Sequence, residues 1–508
     1  MGVSGQRDER GSGFDPLIGA CCLVAGAVYL LHGFDGALTR DLGVYSYGGQ
    51  QVADGVPPYA GIFNRTGPLA QLIPGIGVVA ARVVGIDDLL GMRILFLLIS
   101  IACVGLAYVA GRDLFRSRLA GVATAGTLLS FHGFIQYASY GPREKTAMVL
   151  FLLAALLALT RRHWWTTGFF IALATLTWQP VFFVGLAAAL AAVLVGEPRG
   201  RRLRALLRVG VGGLVPTVVT IATYAVVGDL RLFVDDFLLI NVRYASQSGF
   251  ITHLASGWHQ LASGYGASLW LLLAGLVALP CIAVGRLLRK GDHRDPRMGA
   301  VVGAAVATLV GVVWSLRAFN DWPDAFVLLP VAALGVGGVV DALAQRTSRR
   351  TVMMATAILA SVTTVMALTY SIGSRDDRLQ HQQESVATAL RLFPHAHILS
   401  IEAPQPLVIA HQRNHSLYQV FANSTTRYLD KTWPGGIAGY ARWVARHAPT
   451  FIAVGNVAPE WLTPMLDRAY RRVGRAPGFI WYIRVGVGDR RIRTLRAAFM
   501  AQSWRVQA

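Results

Sequence analysis

Long apolar runs separated by short basic clusters dominate the first three quarters of the chain. A run of about 20 apolar residues is long enough to cross the hydrocarbon core of a bilayer as a helix. Windows of about 19 residues predict eleven membrane spans, near residues 14–34, 92–111, 118–139, 145–160, 164–178, 180–196, 208–228, 266–286, 298–316, 325–345 and 351–371. We expect the first span to be retained, because it is too long for a signal-peptide core and no basic segment precedes it.

One further apolar stretch, Pro68 to Val84, decides the sidedness of everything after it. If this stretch lies on the outer surface, the basic clusters between later spans all fall on the side of the amino terminus, as the positive-inside bias requires. Its Pro74, Gly75 and Gly77 also favour a broken segment lying on the surface. We therefore predict a multi-pass plasma-membrane protein with a cytoplasmic amino terminus and an extracytoplasmic carboxyl-terminal domain.

Three outer segments are long enough to carry chemistry: residues 35–91, residues 229–265 and everything beyond about residue 371. The last of them has charged residues throughout. Short runs there predict β-strands at 397–401, 451–454 and 479–485, and helical patterns cover 384–392, 439–447 and 461–470. The predicted fold is a polytopic α-helical membrane domain, residues 1–371, followed by a small extracytoplasmic α/β domain, residues 372–508.

Composition agrees with this layout. Of 508 residues, 54% are hydrophobic and only 15% are charged, with a mean hydropathy of +0.48. An ordinary soluble domain is roughly a quarter charged, so the composition excludes a soluble enzyme. The 47 Lys and Arg against 27 Asp and Glu give a net charge of +20. Much of that surplus lies in loops between spans, where it reports topology, and we expect no nucleic-acid partner.

The first outer segment contains a carboxylate just after the first span, Asp41. A helix-compatible stretch follows from Val44 to Ala53, and Tyr45, Gly48 and Gly49 share one face of it as an aromatic side chain beside a notch for close packing. A carboxylate at the membrane surface, beside apolar walls, is suited to act as a general base. The spacing alone equally allows Asp41 to be a helix N-cap.

This segment resembles the first-loop signature of the GT-C superfamily, the multi-span glycosyltransferases that use polyprenyl-phosphate-linked sugars. It is similar in particular to bacterial relatives of the dolichyl-phosphate-mannose-dependent mannosyltransferases. The matching positions are Asp41, Gly43, Tyr45, Gly55, Pro58, Tyr59, Phe63, Gly67, Pro68 and Leu69. The basic residue that usually precedes the Gly-Pro pair is Thr66 here, with Arg65 one place earlier.

Shorter matches continue along the chain. Arg93 corresponds to an arginine at the outer start of the second span, and Glu144 to an acidic residue that opens the fourth. Trp178 stands where the family has a lysine after Leu-Thr, and the stretch 320–324 carries no residue-by-residue match. The resemblance implies a polyprenyl-phosphate-linked sugar as donor, mannose or a pentose, and a glycan, lipid or protein as acceptor. It also implies that Asp41 is the base and that the anomeric configuration inverts.

Such a reaction needs cations to stabilise the departing phosphate, and nine basic residues lie at or near the predicted outer face. The candidates for donor or other substrate contacts are Arg65, Arg93, Lys145, Arg243, Glu144, Tyr45 and Tyr59. For Arg93 and Lys145 the alternative is a long side chain that reaches the interface without a ligand. For Glu144 the alternatives are a structural ion pair with Lys145 and a contact to an acceptor hydroxyl.

No cofactor is expected, and no His and Asp spacing supports a divalent metal site. Two other functions remain open. A transporter or flippase of a lipid-linked saccharide is one, although the chain has no internal repeat and few ionisable residues within its spans. A non-catalytic scaffold, in which Asp41 only caps a helix, is the other.

Overall fold

The computed structural model describes residues 15–244, 250–289, 297–421 and 423–501. The described part of the membrane domain consists of helices and their connecting loops. In chain order the helices are α1 (Pro16–His32), α2 (Arg40–Ala53), α3 (Leu69–Val84), α4 (Asp88–Phe115), α5 (Arg118–Ser130), α6 (His132–Tyr140), α7 (Glu144–Thr160), α8 (Trp164–Thr177), α9 (Val181–Gly196), α10 (Arg199–Val227), α11 (Leu230–Phe233), α12 (Ile240–Arg243), α13 (Phe250–Tyr265), α14 (Leu269–Leu288), α15 (Met298–Ala318), α16 (Leu329–Ala344) and α17 (Arg349–Gly373). A π-helical turn, Val234–Leu239, joins α11 to α12, and a 3₁₀ segment, Trp322–Leu328, leads into α16.

A helix coincides with each predicted apolar run, with one interruption. The predicted span 118–139 is two helices, α5 and α6, because Phe131 adopts an extended conformation between them (φ −69°, ψ 107°). Six helical segments of the described chain are long and apolar enough to cross a bilayer. The fold is therefore that of a polytopic helical membrane protein, and the count of eleven spans stays a prediction.

The stretch 68–84 is not broken, which corrects the prediction for it. Helix α3 runs continuously through Pro74. It packs against α2 at the notch formed by Gly48 and Gly49. A Cβ atom placed on Gly49 would lie 2.7 Å from the Cβ atom of Pro74. The glycine therefore lets the two helices approach at the proline ring, which confirms the predicted notch. The opposite face of α3 exposes Ile76, Val79 and Val83.

The carboxyl-terminal domain combines a four-stranded sheet with short helices. Its elements are α18 (Arg378–Leu392), β1 (Ile398–Ile401), α19 (Gln405–Ala410), α20 (Asn423–Thr432), α21 (Gly436–His447), β2 (Phe451–Val454), α22 (Thr463–Ala469), β3 (Tyr470–Ala476), β4 (Phe479–Arg484) and α23 (Asp489–Ala501). The strand order is β1-β2-β4-β3; β1 and β2 are parallel, and the other two pairs are antiparallel.

The three predicted strands are present, and β3 is an additional one. The predicted helix at 461–470 ends at Ala469, and the chain enters β3 at Tyr470. An irregular register between Arg472 and Gly474 disturbs the alternation of buried and exposed residues along β3. Because that alternation is the sequence signal for a strand, the arginine-rich β3 escaped prediction.

Candidate functional site

The catalytic candidate Asp41 lies in the first turn of α2. The cap of this helix is Thr39, whose hydroxyl accepts a hydrogen bond from the N–H of Leu42 at 3.3 Å. Asp41 is therefore not the N-cap, which removes the structural alternative raised by its spacing. Its side chain is 41% exposed, so one side of the carboxylate is open.

The closest partner of Asp41 is a buried arginine that precedes α7. Arg143 Nη1 donates to Asp41 Oδ2 at 2.7 Å. The guanidinium lies between two aromatic rings, 5.7 Å from the ring centroid of Tyr45 and 5.3 Å from that of Tyr137. Such rings attract a cation through their electron-rich faces. Tyr45, a predicted site residue on the same face of α2 as Asp41, thus helps to hold the arginine that pairs with the carboxylate.

Four buried charged side chains extend this contact into the membrane domain. Arg143 Nε lies 3.3 Å from Glu144 Oε2, Lys145 Nζ lies 3.3 Å from Glu144 Oε1, and Lys145 Nζ lies 2.8 Å from Asp324 Oδ1. We call Asp41, Arg143, Glu144, Lys145 and Asp324 the outer charge cluster. It contains three carboxylates and two cations, so each cation in it is already paired.

The cluster shows which contacts Lys145 and Glu144 form within the protein. Lys145 does not reach towards the interface; it is buried, and its ammonium group lies 5.1 Å from the ring centroid of Trp178. Glu144 forms the ion pair with Lys145 that the sequence allowed. Removing one partner of an ion pair buried this deeply is costly, because the other charge is left without compensation. The cluster therefore holds the partner of Asp41, Arg143, in a fixed position.

The cluster also sets the ionisation of Asp41. Burial alone would raise the pKa of this carboxyl group, but the charges of Arg143, Arg40 and Lys145 outweigh it and hold the pKa well below its usual range. Arg40 contributes from the exposed side, with Nε 3.3 Å from Asp41 Oδ1 and Nη1 2.8 Å from Glu402 Oε2. Asp41 is therefore ionised at any physiological pH.

Two predicted phosphate ligands, Arg65 and Arg243, lie on neighbouring outer segments. Asn241 Nδ2 and Gln179 Nε2 both donate to the backbone carbonyl of Arg65, each at 2.8 Å. Helix α12, which ends at Arg243, is thereby tied to the loop that carries Arg65. Both arginines are exposed, and among the described residues neither forms an ion pair. They differ in this from the paired cations of the outer charge cluster.

Two other predicted site residues, Arg93 and Tyr59, form hydrogen bonds to backbone carbonyl oxygens of the first outer segment. Arg93 is fully buried and donates to the carbonyl oxygens of Phe34 and Gly36, in the segment that leads to α2. Tyr59 is also fully buried, and its hydroxyl donates to the carbonyl oxygen of Thr66 at 2.8 Å. The side chains of Arg93 and Tyr59 therefore shape the first outer segment, and the contacts described for them are all within the protein.

Two residues of the outer charge cluster, Arg143 and Asp324, are not among the site residues predicted from the sequence. Arg143 is one of the nine basic residues at or near the predicted outer face. Its one distinguishing signal in the sequence is the unbroken charged triplet Arg143-Glu144-Lys145 at the start of an apolar run. Asp324 has a similar position before the apolar residues of α16. No group of three His, Cys, Asp or Glu side chains in the described part of the chain is arranged as a metal site.

Comparison with known proteins gives a match at the level of structure. No protein-family model matches the sequence, and the search of curated proteins found no match. The crystal structure of ArnT from Cupriavidus metallidurans bound to undecaprenyl phosphate superposes with a TM-score of 0.64 at 14% identity, covering 93% of this chain and 98% of ArnT. ArnT in the apo state gives 0.60 at 12% identity, covering 92% and 97%. The chain therefore has the fold of ArnT over the membrane domain and the carboxyl-terminal domain together.

Proposed function

We propose that the protein is an integral membrane glycosyltransferase of the GT-C type. It transfers one sugar, mannose or a pentose, from a polyprenyl-phosphate donor to a glycan, lipid or protein acceptor on the outer face of the plasma membrane. The observation that carries this proposal is the half-exposed Asp41 held by a buried Arg143 at 2.7 Å. The undecaprenyl phosphate bound to ArnT supports a donor of this kind.

The reaction proposed is a single displacement at the anomeric carbon. The acceptor hydroxyl oxygen forms a bond to C1 as the bond from C1 to the phosphate oxygen breaks, which inverts the configuration. The hydroxyl proton passes to Asp41, and polyprenyl phosphate leaves with the bonding electron pair. Asp41 suits the role of base because its ion pairs keep it deprotonated and fixed in orientation.

The low pKa of Asp41 has a cost for this role, since a weak base takes up a proton less readily. Donor binding that loosens the ion pairs of Asp41 with Arg143 or Arg40 would raise the basicity of Asp41, while other residues bind the phosphate itself. Base strength would then be highest when the donor is bound.

We assign the donor phosphate to Arg65 and Arg243. A phosphate needs cations that are not already neutralised, and these two exposed arginines have no acidic partner among the described residues. Lys145 and Arg143, by contrast, would have to leave a carboxylate in order to bind it. Arg93 and Tyr59 act in this scheme as structural supports of the first outer segment.

The test is Asp41→Asn in purified, folded protein, with a polyprenyl-phospho-sugar and candidate acceptors. The amide keeps the shape of the side chain and removes the base, so we expect transfer to fall by 10²–10⁴-fold. The matched control is Asp54→Asn at the other end of α2, where the carboxylate pairs with Arg82. Transfer that persists in Asp41→Asn would rule out this base. Wild type that moves intact lipid without transferring sugar would instead support the flippase.

A further inference from the structure

The last helix of the carboxyl-terminal domain, α23, has an apolar face and a basic face. Its apolar residues Ile492, Leu495 and Phe499 are buried. Phe499 packs on β3 at Gly474, because a Cβ atom at that glycine would collide with the phenylalanine ring. The apolar face of α23 is therefore used within the domain. Its other residues include four exposed arginines: Arg490, Arg491, Arg493 and Arg496.

The neighbouring strand β3 carries three more exposed arginines: Arg471, Arg472 and Arg475. This strand lies at an edge of the sheet, hydrogen-bonded to β4 alone. Arg471 Nη1 lies 3.4 Å from Oδ1 of Asp489, the first residue of α23, so the strand and the helix begin side by side. Asp489 is the one acid that pairs with any of these seven arginines in the part of the chain that the structure describes. We call the seven arginines the basic edge.

The placement of the arginines in α23 is unfavourable for the helix itself. Arg490 and Arg491 lie in its first turn, where the helix dipole disfavours a cation. Arg490, Arg493 and Arg496 follow one another at a spacing of three residues, which brings like charges together on one side of the helix. The last turn, where the dipole would favour a cation, contains no basic residue. These charges therefore do not serve the stability of α23.

Two common causes of basic surfaces do not account for the basic edge. Positive charges on an edge strand prevent its pairing with another sheet, which explains the arginines of β3 but not those of α23. The positive-inside bias acts on short loops close to a span, whereas α23 lies far beyond the end of α17 at Gly373. Residues 470–501 contain eight arginines and one acidic residue. Such an excess of one sign, kept at a cost to its own helix, indicates an anionic partner.

The two elements of the basic edge surround the free side of β3. Gly474, which contacts α23, lies opposite Trp481 of β4, and Arg472 lies opposite Tyr482. Successive residues of a strand point to opposite faces of the sheet, so Arg472 and α23 are on different faces. Guanidinium groups therefore flank the sheet edge from both sides. This arrangement suits a thin, extended anion that lies along the edge.

The same geometry disfavours a bilayer as the partner. A helix that docks on a bilayer inserts a free apolar face, and the apolar face of α23 is buried. The turn between β3 and β4 is tied to the membrane domain by Gln382, which donates to Leu38 O at 2.9 Å and to Pro477 O at 2.7 Å. From this turn back to Tyr470, β3 leads roughly 20 Å away from the membrane domain at about 3.3 Å per residue. A chain-like partner can follow that course.

We infer that the basic edge is a docking surface for a linear polyanionic glycan of the cell envelope. Guanidinium groups bind carboxylate and phosphate groups through paired hydrogen bonds, and the repeated arginines match an anionic group on successive units of such a polymer. The inference goes beyond the proposed transfer, since the surface shares no ion pair with the outer charge cluster among the described residues. It rests on the extracytoplasmic side that the sequence predicts for this domain.

The experiment measures polymer binding in the absence of any sugar donor. Full-length protein in phosphatidylcholine nanodiscs is titrated into fluorescein-labelled polygalacturonate, with labelled dextran of similar length as the uncharged comparison, and fluorescence anisotropy is recorded at low and high salt. We expect wild type and Asp41→Asn to bind polygalacturonate equally and dextran not at all. Added salt should weaken the binding, because the contacts are between exposed charges.

Two double variants test the two elements separately. Arg490→Gln with Arg493→Gln, and Arg472→Gln with Arg475→Gln, should each weaken the binding of polygalacturonate by about fivefold at low salt. The matched control is Arg442→Gln with Arg446→Gln, which removes the same charge from exposed positions of α21. This control should bind the polymer as wild type does.

Thermal unfolding separates lost binding from lost structure. The variant Arg490→Gln with Arg493→Gln should unfold at a higher temperature than wild type, because it relieves the unfavourable charges at the start of α23. The control should show no such gain, since Arg446 lies in the last turn of α21, where a cation is favourable. Polygalacturonate should raise the unfolding temperature of wild type more than that of the α23 variant.

Four results would overturn the inference. The first is that polygalacturonate does not bind wild type, and the second is that dextran binds equally well. The third is that both double variants of the basic edge bind as the control does. The fourth is capture of phosphatidylglycerol vesicles that depends on Arg490 and Arg493, without binding of polygalacturonate, which would identify a membrane-docking surface instead. Retained transfer by Asp41→Asn would remove the proposed base and leave the polymer surface untouched, because binding is measured without a donor.

Discussion

Arg143 Nη1 lies 2.7 Å from Asp41 Oδ2, and the two residues are 102 positions apart in the chain. One partner is half-exposed at the start of α2 and the other is buried ahead of α7. The contact therefore couples a partly exposed carboxylate to a set of buried charges. The ionisation, the orientation and the reactivity of Asp41 all depend on this pair.

Removing the charge of Arg143 should change the pH dependence of transfer. In wild type the lowered pKa keeps Asp41 ionised, so its protonation does not limit the rate in mildly acid solution. In Arg143→Met the pKa of Asp41 should rise towards or above its ordinary value of about 3.9. We expect an acid limb to appear below about pH 5 in the rate profile, together with a lower rate at neutral pH. Arg82→Met, which removes one ion-pair partner from Asp54 and from Asp88 instead, should leave the profile unchanged.

Donor binding should depend on Arg65 and Arg243, neither of which forms an ion pair among the described residues. We expect Arg65→Met and Arg243→Met each to raise the KM for the polyprenyl-phospho-sugar by roughly tenfold, since a hydrogen bond to a charged group contributes about 1.5–3 kcal/mol. The double variant should raise it further, and added salt should weaken donor binding most in wild type. Arg231→Met is the control, because Arg231 lies in the same outer segment and contacts Asp235. An unchanged KM in both single variants would contradict the assignment.

Asp236 should make the protein less stable as pH rises. This residue lies in the π-helical turn, is fully buried and has no partner for either carboxylate oxygen. Burial, and then the charge of Asp235, raise its pKa well above the usual value. A raised folded-state pKa favours folding below the unfolded-state pKa of about 3.9, and that contribution is lost as pH rises through the folded-state value.

The variant Asp236→Asn removes this titration. Its unfolding temperature should equal that of wild type near pH 4 and exceed it increasingly between pH 6 and pH 8. Thermal unfolding followed by circular dichroism measures the difference. Asp235→Asn serves as the control, because Asp235 contacts Arg231 and the hydroxyl of Tyr428, and its loss should not produce the same gain at high pH. An equal rise in the unfolding temperature of Asp236→Asn at pH 4 and at pH 8 would show that the titration of Asp236 is not the cause.

The packing of α2 on α3 should tolerate no side chain at Gly49. The Cβ atom of Gly49→Ala would meet Pro74 at 2.7 Å from Cβ and 3.0 Å from the carbonyl carbon. We expect a loss of about 1–3 kcal/mol in the free energy of unfolding. Gly210→Ala in α10 is the matched control: nothing lies within 4 Å of its Cβ position. Because alanine is the better helix former, that variant should gain about 0.5–1 kcal/mol. Both changes in the free energy of unfolding are to be measured in the same denaturation series.

Local pattern was sufficient to predict most of the elements. Apolar runs become helices because a chain segment surrounded by apolar material must satisfy its own backbone hydrogen bonds. The predicted end of α2 and its glycine notch follow from residues within a dozen positions of one another, whereas the helix begins at Arg40, four residues before the predicted start at Val44. The strands β1, β2 and β4 are likewise marked by short buried runs of β-branched and aromatic residues. Asp41 itself was found through its resemblance to a known first-loop signature.

The partners of those residues were decided by the tertiary structure. Asp41 meets Arg143, Lys145 meets Asp324, and Arg40 meets Glu402 across 102, 179 and 362 positions of sequence. A charged residue in the sequence does not reveal which opposite charge will face it, because that depends on how the helices pack. The sequence therefore determined the fold class and a candidate base, whereas packing decided which charges surround that base and hence its ionisation.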